Sequence, residues 1–379
     1  MDKLKVLVVD DSLVYRNIVS KAVEKTSIAI VDCTASSGIT ALERLEQRSI
    51  DVVLLDVFMP EMDGIETLKE IKRRHSNIPV IMISSGGEDG AKITVKALEQ
   101  GAMDFILKPL KGDAENNMST ISRHLNLLFA QIIMDRYAVG TGGQVPRPNG
   151  SKGYGDEKYG NGKHGNGKHG GGKDRLDLGT RNLSPRPNGV DIVVMASSTG
   201  GPNAVEEVCK VLDTGFTKPI LLVQHMPPDF TRIFAEFLDK KTNIQVKEAQ
   251  EGDEITGGRI LVAPGGYHMT VNGGSTISLT DDSPVNGVRP AADVLFRSVA
   301  KAYKGKRVLA IILTGMGSDG TEGIKVLKES CQCYCITQSK ESSVIYGMPR
   351  SVDEAGLSDE VIDLKDIGRR IIEISRGRC

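Results

Sequence analysis

The sequence predicts an α/β protein built from two parallel-sheet units, and three observations carry that prediction. First, at 379 residues the chain is long for one compact core, because chains divide into domains of roughly 100–200 residues. Second, short apolar runs alternate with helical patterns in both halves, the order expected of βα units around a parallel sheet. Third, a glycine-rich stretch separates the halves. Thirteen of the 42 glycines fall between Gly140 and Lys173, in a stutter of Lys-Tyr-Gly-Asn-Gly, Lys-His-Gly-Asn-Gly and Lys-His-Gly-Gly-Gly. Such a segment buries too little apolar surface to offset its ordering entropy. The expected organisation is a first domain over 1–125, a connecting helix end and flexible linker over 126–188, and a second domain over 189–379. A Gly-rich coil of ~50 residues spans roughly 40 Å, so domains joined by it can touch and separate. His164 and His169 in the linker read as part of a solvated spacer rather than a metal site.

In the first domain the strand-like runs are Leu4–Val9, Ile28–Cys33, Val52–Leu55, Val80–Ile83 and Phe105–Leu107. The helices between them show 3.6-residue apolar periodicity, as in Ile65, Leu68 and Ile71. Five βα units imply a doubly wound sheet, with ligands gathering at the strand C-terminal ends. In the second domain, Ile192–Ala196, Ile220–Val223 and Val308–Leu313 repeat the parallel-strand pattern. Helices are expected near Asn203–Leu212, Phe230–Leu238, Ala292–Tyr303 and Thr321–Lys328, and stretches around Arg259–Val262 and Thr276–Leu279 read as a small inserted hairpin.

Composition narrows the function classes. Forty-eight basic and 49 acidic residues give a net charge of −1, so no global field favours nucleic acid or an anionic membrane. No basic helix-turn-helix candidate speaks for a DNA-binding output. No apolar run approaches the ~20 residues that cross a bilayer, and the N-terminus does not read as a signal peptide; a cytoplasmic protein without membrane insertion is expected. The six cysteines, Cys33, Cys209, Cys331, Cys333, Cys335 and Cys379, show no disulfide framework spacing and are expected as free thiols. Cys331, Cys333 and Cys335 would share one strand face. Lacking a nearby fourth ligand, they read as buried small hydrophobes rather than a metal site.

The first domain concentrates charge at its strand ends. Strand one ends in Asp10-Asp11 and strand three in Asp56, and converging carboxylates are costly unless a cation sits among them. Oxygen-only ligands suit Mg²⁺. Strand four ends in Ser84 and strand five in Lys108-Pro109. This set fits phosphoryl transfer to a carboxylate: metal and Lys108 neutralise the phosphoryl oxygens, Asp56 attacks, and Ser84 hydrogen-bonds the product. The competing reading makes Asp10 and Asp56 strand-end caps and Lys108 a surface cation. With Val8-Val9-Asp10-Asp11-Ser12, Leu55-Asp56 leading to Met59-Pro60 and Met62-Asp63-Gly64, Ile83-Ser84-Ser85 and Leu107-Lys108-Pro109 in order, residues 1–125 resemble two-component receiver domains. The resemblance implies Asp56 as phospho-acceptor, Asp10, Asp11, Asp56 and the Phe58 carbonyl as Mg²⁺ ligands, and Ser84 and Lys108 as switch residues. Phe105 falls where that family often has a gated aromatic, and equally reads as a strand core residue.

In the second domain the strand Ile192–Ala196 runs into Ser197-Ser198-Thr199-Gly200-Gly201-Pro202. A serine on a strand-to-helix turn can be presented at the sheet edge, with backbone amides at the helix start available to an oxyanion; an N-cap turn or a phosphate cradle are alternatives. His225 follows the second strand, Asp319 lies in the loop after the third, and His268 sits beside the expected hairpin. Serine, histidine and aspartate at three strand ends make an acyl-transfer triad possible; otherwise His225 is a core residue and Asp319 caps the helix near Thr321. The blocks Ser198-Thr199-Gly200-Gly201, Gln224-His225-Met226-Pro227, Ala263 to Met269, Arg289-Pro290-Ala291-Ala292-Asp293, Leu313 to Gly320 and Tyr346-Gly347-Met348-Pro349 resemble the catalytic domain of chemotaxis protein-glutamate methylesterases. That resemblance implies Ser198 as nucleophile, His225 as base and Asp319 as its orienter, with Thr199, His268 and Met316 lining the site and no cofactor for the ester reaction. It further implies demethylation of glutamate methyl esters on chemoreceptor cytoplasmic helices, deamidation of receptor glutamines, and activation by a histidine kinase through Asp56. A phosphorylation-dependent binding module without hydrolase activity is the alternative.

Overall fold

The computed structural model describes residues 3–108, 114–140 and 188–377. The expected spacer from 141 onward, with His164 and His169, lies outside the described residues, as do Pro109 and Cys379. The first half runs β1 (Leu4–Val9), α1 (Leu13–Lys25), β2 (Ala29–Ala35), α2 (Gly38–Gln47), β3 (Val52–Asp56), α3 (Gly64–Arg74), β4 (Val80–Ser84), α4 (Glu88–Glu99), β5 (Asp104–Leu107) and α5 (Ala114–Gly140). Its five strands form a parallel sheet in the order β2-β1-β3-β4-β5. β1, β3 and β4 are buried almost throughout, which is why they read as unbroken apolar runs. α3 begins with a capping box in which Asp63 and Glu66 satisfy each other's backbone N–H groups. α5 runs to Gly140, inside the 126–188 stretch expected as a helix end and linker.

The second half comprises β6 (Ile192–Ser197), α6 (Gly201–Lys210), β7 (Ile220–Gln224), α7 (Phe230–Lys241), β8 (Gln245–Glu248), β9 (Arg259–Val262), β10 (His268–Asn272), β11 (Thr276–Thr280), α8 (Ala292–Ala302), β12 (Arg307–Ile312), α9 (Thr321–Ser330), β13 (Gln332–Gln338), α10 (Met348–Glu354), β14 (Glu360–Ile362) and α11 (Leu364–Ser375). Seven strands make one sheet, in the order β14-β13-β12-β6-β7-β9-β8, and all its pairings are parallel. Two expectations are corrected here. Arg259–Val262 is not part of the hairpin: it pairs in parallel with both β7 and β8, and the hairpin is β10 with β11. Cys333 and Cys335 lie on β13, a strand not among those read from the sequence, and are buried, as expected of small hydrophobes, against the layer holding Val308, Ala310 and Ile312, but Cys331 ends α9 before that strand and is only half-buried.

The two halves are in contact. α4 packs on α6 and α7, and the Phe105 ring stacks on Phe230 with centroids 4.7 Å apart and planes 3° from parallel. Ion pairs Lys241–Glu99 at 2.5 Å and Arg232–Glu88 at 3.0 Å edge this contact. Being exposed, they add little to its strength.

Candidate active site and its regulatory face

β6, β7 and β12 are adjacent and parallel, so the loops leaving their C-terminal ends meet at one edge. Backbone bonds tie these loops together. Ser198 N–H donates to the Thr314 carbonyl at 3.0 Å, and His225 N–H donates to the Ser197 carbonyl at 3.1 Å. Gln224 acts as an internal clamp: its Oε1 accepts from Ser197 Oγ at 2.6 Å, and its Nε2 donates to the Ser198 carbonyl at 2.9 Å. Glycine is required where these parts touch. A Cβ on Gly201 would lie 2.1 Å from Gln224 Oε1, and one on Gly315 would lie 2.8 Å from Ser198 Cβ, both closer than packed atoms tolerate.

His225 Nε2 lies 2.8 Å from Asp319 Oδ2. Each oxygen of Asp319 has a further backbone donor, Ala292 N–H at 2.6 Å on Oδ2 and Asp293 N–H at 3.1 Å on Oδ1, and Asn286 Nδ2 adds a bond to Oδ1 at 2.9 Å. Burial alone would raise the Asp319 pKa. The bonds from His225, Ala292 and Asn286 outweigh it and hold the carboxyl below its usual range. With Nε2 bonded to a carboxylate, His225 Nδ1 is the nitrogen left to take a proton. Ser198 and His225 line the same cavity of about 600 Å³, but no hydrogen bond joins the hydroxyl to the ring among the described residues; such bonds often tighten only when substrate is bound.

Thr199 and Met316 also line that cavity, whereas His268 does not, which corrects its expected place in the lining. His268 is 1% exposed, and its Nδ1 accepts the Ala291 N–H at 3.2 Å. Nε2 therefore carries the proton and faces the Ser283 carbonyl at 3.2 Å. The ring fixes the residue before Ala292, whose own N–H binds Asp319, so its contribution is to hold the α8 N-terminus. Sequence reasoning missed Gln224 as a clamp and Asn286 altogether. The signal for Asn286 was the dipeptide Asn286-Gly287, a tight-turn signature.

The first half closes the other side of this cavity with Asp104, Phe105 and His124 among its lining. Thr199 Oγ1 donates to Asp104 Oδ2 at 2.5 Å. Burial pushes the Asp104 carboxyl up, against the opposing effects of His124 and Thr199. Phe105, 7% exposed, is packed between the halves rather than gated outward.

At the acidic edge, Lys108 Nζ lies 2.8 Å from Asp10 Oδ2 and 2.9 Å from Asp56 Oδ2, and 4.5 Å above the Tyr15 ring. Burial is the main cause raising Asp56 to about 6, against Lys108. Carboxylate oxygens of Asp10, Asp11 and Asp56 come within 4.8 Å of one another. This all-oxygen set, with Asp11 open to solvent, fits a hydrated hard cation such as Mg²⁺. The Phe58 ring, two residues beyond Asp56, is 46% exposed. Ser84 is fully buried and its hydroxyl is engaged with Thr94 Oγ1 at 2.6 Å and the Ser85 carbonyl at 3.1 Å.

Residues 193–371 match the family model for CheB methylesterase, and residues 6–118 match that for the response regulator receiver domain. A protein-glutamate methylesterase/protein-glutamine glutaminase of Treponema denticola is 39% identical over 375 residues, 98% of this chain and 98% of that protein. The chain belongs to the CheB methylesterase family. A relative of the same description from Clostridium acetobutylicum is 35% identical over 378 residues, covering 100% of this chain and 99% of that protein. The crystal structure of the Thermotoga maritima CheB methylesterase catalytic domain is 40% identical, with TM-score 0.47, covering 49% of this chain and 98% of that one. Family membership accounts for the receiver half and the catalytic half in one chain.

Proposed function

We propose that this CheB-family chain hydrolyses γ-methyl esters of glutamate on the cytoplasmic helices of chemoreceptors, and deamidates glutamines there, as a phosphorylation-controlled enzyme of the cytoplasm. The observation that carries the proposal is the 2.8 Å bond from His225 to Asp319 on the strand edge that also presents Ser198. Asp319 holds the neutral ring with the proton on Nε2, leaving the Nδ1 lone pair to take the Ser198 hydroxyl proton as Oγ attacks the ester carbonyl. The tetrahedral intermediate collapses, its C–O bond breaks, and the methoxide oxygen takes the proton back from Nδ1 and leaves as methanol. Water then attacks the acyl-enzyme by the same proton path, giving a glutamate carboxylate and free Ser198. An amide substrate gives the same acyl-enzyme and ammonia.

In the receiver half, Asp56 is the phospho-acceptor for the histidine kinase, with Lys108 and Ser84 as the groups that respond to its new oxygens. Mg²⁺ held by Asp10, Asp11 and Asp56 would supply charge neutralisation to the incoming phosphoryl group; the Phe58 carbonyl is the fourth proposed ligand. Support for control through this half comes from β5: its Asp104 and Phe105 touch the catalytic half, and Lys108 follows directly.

The test is methanol release from receptor carrying labelled methyl esters. Wild type is expected to release label and Ser198→Ala to release none above background. A wild type without release would favour a binding module, and undiminished release by Ser198→Ala would overturn the nucleophile.

A further inference from the structure

Two buried carboxylates stand behind the proposed base, and one amide joins them. Asp319 is 2% exposed and Asp293 is 3% exposed. Asn286 Nδ2 lies 2.9 Å from Asp319 Oδ1 and 2.9 Å from Asp293 Oδ2, so its two hydrogens serve one carboxylate each. Asp293 Oδ1 accepts the N–H groups of Gly320 at 3.0 Å and Gly323 at 2.7 Å, capping α9 directly after Asp319. Arg297 is its nearest cation, 3.9 Å from Oδ2. The bridge therefore spans both the carboxylate that orients His225 and the one that fixes the loop carrying it.

The backbone delivers the amide to this position. Val285 and Val288 exchange N–H···O bonds at 3.0 and 3.1 Å around Asn286 and Gly287, whose φ angles are 55° and 77°. Two residues with positive φ closed by that bond pair make a type I′ turn, for which Asn-Gly is the favoured dipeptide. The turn alone explains a residue that tolerates positive φ. It does not explain an amide directed at two carboxylates, because glycine would serve the turn as well.

We propose that Asn286 is a positioning residue that sets the basicity of His225 through Asp319. Its donated hydrogen spreads the charge of Asp319 and screens it from Asp293. Without it the two carboxylates repel, and the carboxylate facing His225 favours the imidazolium over the neutral ring. The groups around this cluster are His225 beyond Asp319, Asp293 and Arg297 on α8, and Arg289 with the receiver's Asp104, Arg123 and His124 along the same cavity. None of these stands between the two carboxylates as Asn286 does.

The inference builds on the proposed esterase but is tested without turnover, by following the imidazole of His225 in NMR titrations of the full chain, its signal assigned by loss in His225→Gln. Asn286→Gly keeps the turn and removes the amide; the His225 pKa is expected to rise by roughly half a unit or more. Asn286→Asp adds a third carboxylate and should raise it further, by about one unit or more. Asn286→Gly/Asp293→Asn puts a new amide beside Asp319 and should bring the titration back toward wild type. In parallel, Asn286→Gly should move the acidic limb of the kcat/KM profile upward, with KM little changed. A His225 titration identical in wild type, Asn286→Gly and Asn286→Asp would overturn the inference. Absence of methanol release from wild type with these shifts intact would overturn only the esterase.

Discussion

Asp319 concentrates the energetics of the site in one side chain. Its oxygens accept four hydrogen bonds, two from the side chains of His225 and Asn286 and two from the backbone N–H groups of Ala292 and Asp293 at the start of α8, and its carboxyl is held below the usual range despite burial. A carboxyl whose folded-state pKa is depressed adds stability above its unfolded value, about 3.9, and that stability is lost as pH falls through the folded value. Asp319→Asn is therefore expected to destabilise the fold at neutral pH, with the gap to wild type in urea unfolding narrowing below about pH 4. A gap unchanged from pH 7 to pH 3 would show that Asp319 is not bound as a carboxylate in the folded state. The same substitution should lower methanol release by on the order of 10³–10⁴-fold, because the ring loses the partner that fixes its tautomer. The residues of this centre differed in how visible they were. Ser198 and His225 could be placed because each sits just beyond an apolar strand run, and Asp319 because it lies in the loop leaving a third, so that parallel pairing brings the three proposed residues to one edge. Asn286 and Gln224 could not, since their significance lies in which groups the folded chain puts within 3 Å of their amides. His268 was found as a residue but misplaced, because sequence shows a histidine near the site without showing which side of the α8 N-terminus it occupies.

At the level of elements, all five strands of the first sheet were legible: β1, β3 and β4 are buried parallel runs, the half-exposed edge strand β2 still carries an apolar run, and the residues singled out as functional fall at strand ends. The second sheet was half legible. Gly257-Gly258 and Gly265-Gly266 bracket Arg259–Val262 with the punctuation of a hairpin, yet three of its four residues are buried, as a strand covered on both faces requires. β13 escaped notice because cysteines and polar residues break its apolar signature; Thr337 and Gln338 are fully buried but bonded, Gln338 Oε1 accepting the Thr314 N–H at 2.8 Å. The placement of the cysteines has a consequence that can be measured. Burial pushes Cys209 and Cys333 up to about 12 and raises Cys335 as well, and only thiolate is a good nucleophile or metal ligand. Iodoacetamide at neutral pH is expected to spare these three in the native protein, by peptide mass spectrometry, and to label them on unfolding. Prompt native labelling of Cys333 or Cys335 would show that β13 opens far more readily than a central strand should.

On the scale of the whole molecule, the four residues of β5 join the two chemistries. Asp104 accepts the Thr199 hydroxyl and Phe105 stacks on Phe230, while Lys108, immediately after the strand, bridges Asp10 and Asp56. A phosphoryl group on Asp56 would bring new oxygens to the cation that anchors the end of this strand. Any shift there is carried by a segment whose other side chains lie on the catalytic half. The docked arrangement closes one side of the cavity holding Ser198 and His225, so under the proposed function entry of a receptor helix needs the halves to part. An aromatic stack contributes about 0.5–1.5 kcal/mol beyond its buried area, and about 1.4 kcal/mol is a tenfold change in an equilibrium. Phe105→Ala is therefore expected to raise methanol release by the unphosphorylated protein several-fold to about tenfold, and to shrink the further gain from a phosphodonor by a similar factor. Asp104→Ala should act in the same direction by freeing the Thr199 hydroxyl and removing a carboxyl whose burial is costly when ionised. The pair separates docking from chemistry, since neither side chain belongs to the Ser198, His225 and Asp319 set. If both variants keep the basal rate of wild type while phosphorylation still activates them, the contact through β5 does not limit access to the active site.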